Sequence, residues 1–268
     1  MLNLTQYIKI SVITPSFNQA AYVEDTLRTV LQQECSFNFE YLVMDGGSTD
    51  GTLQLLDTYS GRLTWFSEKD KGQSDALNKG IGRAQGEIIG WLNSDDLYLP
   101  GTLQKVADYF TAHPDCYWLY GRCRIVDDEN REIRKMITWY KNLVSRRFHL
   151  PLLLIENFIS QPAVFFRRSA FEKTGPLALD LPLAMDYDLW LRMAKLGPPG
   201  VINDYLASFR VHRQAKSAMH SRKQFLEQFE IHKKYDQRKL WLFLHRLNIA
   251  RAIGGYWLLE KWNQLFVF

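Results

Sequence analysis

Residues 87–103 read EIIGWLNSDDLYLPGTL. The apolar run Glu87–Leu92 has the length and composition of a buried strand, and it stops on a polar cluster, NSDD. Pro100 then opens a helix at Gly101–Phe110. The same order recurs upstream. Ile8–Thr14 (IKISVIT) is a β-branched run ending at Pro15, and Ala20–Gln33 follows as a helix with Val23, Leu27, Val30 and Leu31 on one face. Phe39–Met44 is a second strand leading into DGGSTDGT, where Asp50 can cap a helix at Gly51–Tyr59. Leu63–Phe66, the helix Ser74–Ala84 and the strand Cys116–Tyr120 complete the pattern. Short apolar strands alternating with helices predict an α/β fold, a mainly parallel central sheet flanked by helices. In such sheets ligands sit beyond the carboxyl ends of the strands, where these polar clusters fall.

The second half is less regular. Residues 127–160 mix charge with aromatics. Gln161–Phe166 (QPAVFF) reads as a strand, Asp186–Leu196 as a helix, and Gly197-Pro198-Pro199-Gly200 stops that helix. Val201–Arg210 reads as a strand, and the chain looks helical from about residue 220.

With 46% hydrophobic and 23% charged residues, the 268-residue chain can bury a core, which excludes a disordered chain. No apolar run is long enough to span a bilayer, and the first residues, MLNLTQYIKISVITP, do not have the pattern of a secretory signal. Cys35, Cys116 and Cys123 form no CxxC and leave an odd count, which fits a reducing cytoplasm. The charge is uneven: residues 207–268 hold 12 Lys+Arg against 4 Asp+Glu, net +8, while residues 1–206 are net −4. The basic end also carries Phe225, Phe229, Trp241, Phe243, Leu244, Tyr256, Trp257, Leu258, Trp262, Phe266 and Phe268. That mixture suits an anionic membrane surface or a nucleic acid, or simply helices that pack on the domain with solvated cations outside.

Four clusters can carry chemistry. Asp95 and Asp96 are adjacent carboxylates after a strand; they suit Mg²⁺ or Mn²⁺ with diphosphate oxygens, or a turn and cap. Asp45 ends a strand, where a carboxylate can take ribose hydroxyls or organise a turn. In EKDKGQSDALNKGI (68–81), Asp70 can read a base and Lys79 can face phosphate, or the segment is a solvated loop. Asp186 starts a helix, as cap or as general base, and His212 stands among cations in FRVHRQAKS.

In this order, TPSFNQ, DGGSTDGT, DKGQSDALNKGI and WLNSDDLYLPGTL, followed by QPAVFFRR, MDYDLWLRM and FRVHRQAKS, the chain resembles the family 2 glycosyltransferases of GT-A fold. The similarity spans about residues 8–217. It implies an inverting transfer from a nucleotide-diphospho-sugar, with Mn²⁺ or Mg²⁺. Carried over residue by residue, Thr14, Ser16 and Asp45 line the nucleoside pocket and Asp70 contacts the base. Asp95 and Asp96 take the metal and ribose positions, Asp186 is the catalytic base, and His212 approaches the metal or diphosphate. Two positions depart: Asn93 stands where many relatives have Asp, and Met185 precedes Asp186 where many have Glu.

The expected organisation is a GT-A domain at 1–217, with a nucleotide-sugar half (1–121) and an acceptor half (122–217), and a basic helical extension at 218–268. The expected donor is a UDP-sugar, with dTDP- or GDP-sugars as alternatives. The expected acceptor is a glycan or lipid-linked glycan of the cell envelope, met in the cytoplasm or at the inner membrane face through the basic end. No nucleic acid partner is expected. A sugar-nucleotide nucleotidyltransferase is the alternative enzyme, although PSFNQAAY after the first strand lacks the basic residues that hold a triphosphate. A non-catalytic nucleotide-sugar or nucleic-acid binding protein is the alternative outside catalysis.

Overall fold

The computed structural model describes residues 9–266, with side chains at all of these except 217, 218, 221 and 256–266. Ile8 and Phe268, and the side chains of Tyr256, Trp257, Leu258, Trp262 and Phe266, lie outside the described residues. The strands are β1 (Ile10–Ser16), β2 (Glu40–Asp45), β3 (Thr64–Ser67), β4 (Ile88–Trp91), β5 (Leu97–Tyr98), β6 (Trp118–Val126), β7 (Val164–Arg167) and β8 (Gly200–Arg210). They form one sheet in the order β3-β2-β1-β4-β7-β6-β8-β5. β3, β2, β1 and β4 are parallel, as the β-α alternation predicts. β7 runs antiparallel to both β4 and β6, and β5 antiparallel to β8, so the second half is mixed. The sheet is continuous through both halves.

Side chains leave a strand alternately to its two faces. Ile13, Leu42, Met44, Ile89 and Trp91 pack on one face with the helices Gln73–Arg83 and Met185–Ala194. Val12, Tyr41, Val43 and Ile88 pack on the other with Val23–Leu31 and Thr102–Ala112. Both faces are covered, which is why these strands read as unbroken apolar runs.

Several elements differ from expectation. Gln161–Ala163 is a 3₁₀ turn, and only Val164–Arg167 of QPAVFF pairs as a strand, because Pro162 has no N–H for a ladder. Helices at Lys135–Val144, Leu150–Ile155 and Arg168–Thr174 were not legible. The basic end forms the helices Ser221–Tyr235 and Lys239–Phe266, and these pack on the domain. Ile231 is fully buried in the core. Tyr235 donates to Asp188 Oδ1 at 2.8 Å, and Asn248 Nδ2 donates to the Ile155 carbonyl at 3.1 Å.

β1 lies between β2 and β4, so the chain leaves it in opposite directions. That is the switch point at which open parallel sheets form a crevice. Register sets Ser16 beside Asp45 and Ile13 beside Trp91, which aligns the carboxyl edge.

Candidate active site

A cleft of about 510 Å³ opens at this edge. Of the residues expected at the site, Ser16, Asp70, Asp95 and Asp186 line it. It therefore brings together polar groups from three strand ends and, across the gap, from the start of the helix Met185–Ala194.

Asp95 Oδ2 lies 3.0 Å from Nε2 of His212, joining residues 117 positions apart. The imidazole is buried, lies 4.2 Å from the Tyr22 ring, and its Nδ1 has no partner. Among the described residues no three His, Cys, Asp or Glu side chains group into a metal cage. The donor set is one carboxylate with one imidazole. It fits a hard cation that arrives with a diphosphate and keeps water, the usual habit of Mg²⁺, better than a site built wholly from protein.

Asp96 does not join the cleft lining. It is fully buried and faces away from the cleft. Its Oδ1 accepts from the Arg210 backbone N–H at 3.0 Å and its Oδ2 from Asn93 Nδ2 at 3.2 Å. Burial and the neighbouring Asp95 charge push its pKa well up. Successive residues after a strand point apart, so one of the pair reaches the cleft and the other braces the loop.

Asn93 explains its own departure from the resemblance. Its Oδ1 accepts from Trp91 Nε1 at 2.8 Å and Gln73 Nε2 at 2.7 Å. Its Nδ2 donates to Asp96 Oδ2 and, at 2.9 Å, to Gln161 Oε1. Only an amide can both accept and donate in this way. A carboxylate here would set a second oxygen against the buried Asp96.

Asp186 Oδ2 accepts from Asn157 Nδ2 at 3.2 Å. Burial raises its pKa, opposed by the Tyr187 backbone N–H, the Asn157 amide and the charge of Lys141. Asp188, two residues on, is structural: it pairs with Arg192 at 2.9 Å and accepts from Tyr235. Asp70 is held by the Gly72 N–H at 2.8 Å. A Cβ on Gly46 would stand 2.6 Å from Asp70 Oδ2, so glycine is required for that carboxylate's position. Gly46→Ala should therefore displace Asp70 and weaken nucleotide affinity about tenfold, the loss of one charge-assisted hydrogen bond. Calorimetric titration of the variant checks this.

Besides Asp96 and His212, three expected residues do not line the cleft. Thr14 shares a face with Ser16 but lies deeper, its hydroxyl 3.2 Å from that of Tyr41. Asp45 is spent on its own turn: Oδ2 accepts from the Gly47 and Ser48 N–H groups at 2.9 Å and from Ser67 Oγ at 2.8 Å, and Oδ1 from Ser48 Oγ. Lys79 turns outward to Asp75 at 3.2 Å and Glu68 at 3.7 Å.

Other residues take their place. Lys69 and Lys216 line the cleft, and Lys216 Nζ donates to Gln73 Oε1 at 3.0 Å. Burial lowers the Lys216 pKa, while Asp70 and Asp95 oppose the shift. Glu227, in the helix Ser221–Tyr235, accepts the backbone N–H groups of Leu183 at 3.0 Å and Ala184 at 2.7 Å. It thus caps the helix that begins at Met185 and carries Asp186. Glu227→Ala should cost about 1 kcal/mol of stability, the loss of a cap. Turnover should fall while nucleotide affinity holds, read by paired thermal melts and single-turnover rates.

A parallel half-sheet with a cleft at its switch point, lined by Asp95 and by Asp186 at a helix start, is the arrangement of a GT-A fold. The chain belongs to glycosyl transferase family 2, whose model matches residues 11–175. It is 30% identical over 201 residues to the PGL/p-HBAD biosynthesis glycosyltransferase of Mycobacterium bovis BCG, covering 73% of each chain. It is 27% identical over 213 residues to an uncharacterized glycosyltransferase of Rickettsia conorii, covering 78% of this chain but only 35% of that one. Among solved structures, the mannosyltransferase PcManGT from Pyrobaculum calidifontis, in complex with GDP-Man and Mn²⁺, matches at TM-score 0.67 and 20% identity, over 98% of this chain and 82% of the other. S. aureus TarS in complex with UDP-GlcNAc matches at TM-score 0.62 and 18% identity, over 84% and 65%. At these identities the structural matches speak to the fold.

Proposed function

We propose that the chain moves a sugar from a nucleotide-diphospho-sugar to an acceptor hydroxyl with inversion at the anomeric carbon. The observation that carries this reading is the shared cleft: Asp95 and Asp186 line one cavity. Residues 1–121 supply the donor side, with Ser16 and Asp70 toward the nucleoside and Lys69 toward the diphosphate, joined there by Lys216 from the end of the second half. Residues 122–217 supply Asp186. Asp95 and His212 would hold a divalent cation, and when bound that cation supplies positive charge for the departing diphosphate.

The chain's own groups account for the rest. Asp186 accepts the proton of the acceptor hydroxyl. The oxygen attacks the anomeric carbon opposite the diphosphate, and the carbon–oxygen bond to phosphate breaks with its electron pair leaving on the nucleoside diphosphate. Lys216 and Lys69 stabilise that growing charge. A single displacement needs one base, and Asp186 serves; a retaining glycosidase would want a second carboxyl within roughly 5.5 Å.

The relatives guide the choice of substrate. Similarity to TarS with UDP-GlcNAc and to PcManGT with GDP-Man supports a UDP- or GDP-sugar donor. The acceptor proposed from the family resemblance is a glycan or lipid-linked glycan of the cell envelope. The three free cysteines favour the cytoplasm. The test is incubation of the protein with a panel of nucleotide-sugars and separation of the products. Release of nucleoside diphosphate is expected. Release of pyrophosphate from a nucleoside triphosphate and a sugar phosphate, or no turnover with any donor, would overturn the reading.

A further inference from the structure

Residues 133–155 contain Arg134, Lys135, Lys141, Arg146 and Arg147 and no Asp or Glu. They fold as the helices Lys135–Val144 and Leu150–Ile155. On the first of these, Met136, Trp139 and Leu143 are exposed, Met136 by 76% and Trp139 by 59%. The spacing i, i+3, i+7 makes them one stripe. The helix Lys239–Phe266 repeats the device. Leu240, Phe243 and Leu247 are exposed at the same spacing, and no acid occurs from Arg238 through Leu259.

The two stripes border one seam. Tyr140 and Glu156 on one side meet Arg251 on the other: Arg251 Nη2 donates to Glu156 Oε2 at 2.9 Å, and Tyr140 donates to the same oxygen at 2.9 Å. At roughly 100° per residue, Tyr140 falls beside the stripe on its own helix, and Arg251 beside the stripe on the other. The seam also leads to the catalytic side. Asn157, the residue after Glu156, donates to Asp186.

We infer that these two stripes and their cations are one docking surface for an anionic lipid bilayer, which sets the Asp186 side of the cleft at the membrane. A basic helix with exposed Trp, Phe and Leu lies in a bilayer interface, its apolar stripe inserted and its cations on the lipid phosphates. Charge complementarity selects the bilayer over a second copy of this chain, because two such faces would repel. The inference rests on the transferase reading for its purpose, but its surface is distinct from the cleft. No helix among the described residues is long and apolar enough to cross a membrane.

The test uses the full chain and flotation with vesicles of phosphatidylcholine alone or mixed with phosphatidylglycerol. Binding should need phosphatidylglycerol and weaken as salt rises. Met136→Ser with Trp139→Ser, and separately Leu240→Ser with Phe243→Ser, should each weaken vesicle binding about tenfold or more. Nucleotide affinity should not change, because none of the four lines the cleft. Variants that float like the wild type would overturn the proposal. So would wild-type protein that ignores phosphatidylglycerol, that binds RNA but not vesicles, or that self-associates through the stripes. Loss of nucleotide binding with vesicle binding intact would instead count against the transferase reading alone.

Discussion

Asp186→Asn lowers the rate of sugar transfer by about 10²–10⁴, the usual contribution of a positioned general base, and leaves donor affinity within about twofold. Asn keeps the size of the side chain and can still accept from Asn157, but it takes no proton. The pH profile gives the same residue a second signature. Burial raises the Asp186 pKa above the ordinary carboxylate range. The base acts ionised, so kcat/KM should fall as pH drops through that raised value, giving an acid limb higher than a solvated Asp would. Asn157→Ala removes a hydrogen bond to the ionised form and should move the limb higher still. Stability runs the opposite way. The folded state binds the Asp186 proton more tightly than the unfolded chain, so stability falls as pH rises from the unfolded pKa through the folded one. Asp186→Asn should therefore melt at or above the wild-type temperature at neutral pH. A variant that melts lower and loses nucleotide would mark Asp186 as a structural cap instead.

Asp95→Asn lowers transfer by about 10²–10³, the range seen when one preorganised electrostatic group is removed from a transition-state site. Unlike Asp186→Asn, it should also weaken the nucleoside diphosphate, because Asp95 lines the cleft and contacts His212. Asp96→Asn is the control. Its carboxyl braces the loop through Arg210 and Asn93, so its effect should appear in thermal stability before donor affinity. Reversed results at the two positions would return the metal role to Asp96.

The fold was legible where apolar strands are covered on both faces, as in Ile88–Trp91 between its polar ends. Asp95, Asp70 and Asp186 line the cleft because a strand end or helix start exposes whatever follows it. The positions of the other expected residues away from the cleft have physical causes. Thr14 has the right face but the wrong depth, two residues inside the sheet. Asp45 reads as a ligand until its oxygens are seen on the Gly47 and Ser48 N–H groups. Lys79 lies in the matching motif, yet the helix turns it to Glu68, and Lys216, far along the chain, takes the inward position. Glu227 caps a backbone 43 residues upstream, a contact that no local pattern reports. The helix Lys135–Val144 hid because its apolar stripe, Met136, Trp139 and Leu143, faces solvent while the polar Thr138 is buried, the reverse of the pattern that marks a packed helix.

The most direct measurement is calorimetric titration of the wild-type protein and Asp95→Ala with UDP, GDP and dTDP, each with and without Mn²⁺. One nucleotide should bind clearly to the wild type with Mn²⁺, weaken when the metal is withheld, and weaken again in Asp95→Ala. If folded wild-type protein binds none of the three, or binds one regardless of both Mn²⁺ and Asp95, the cleft is not the metal-assisted donor site described above.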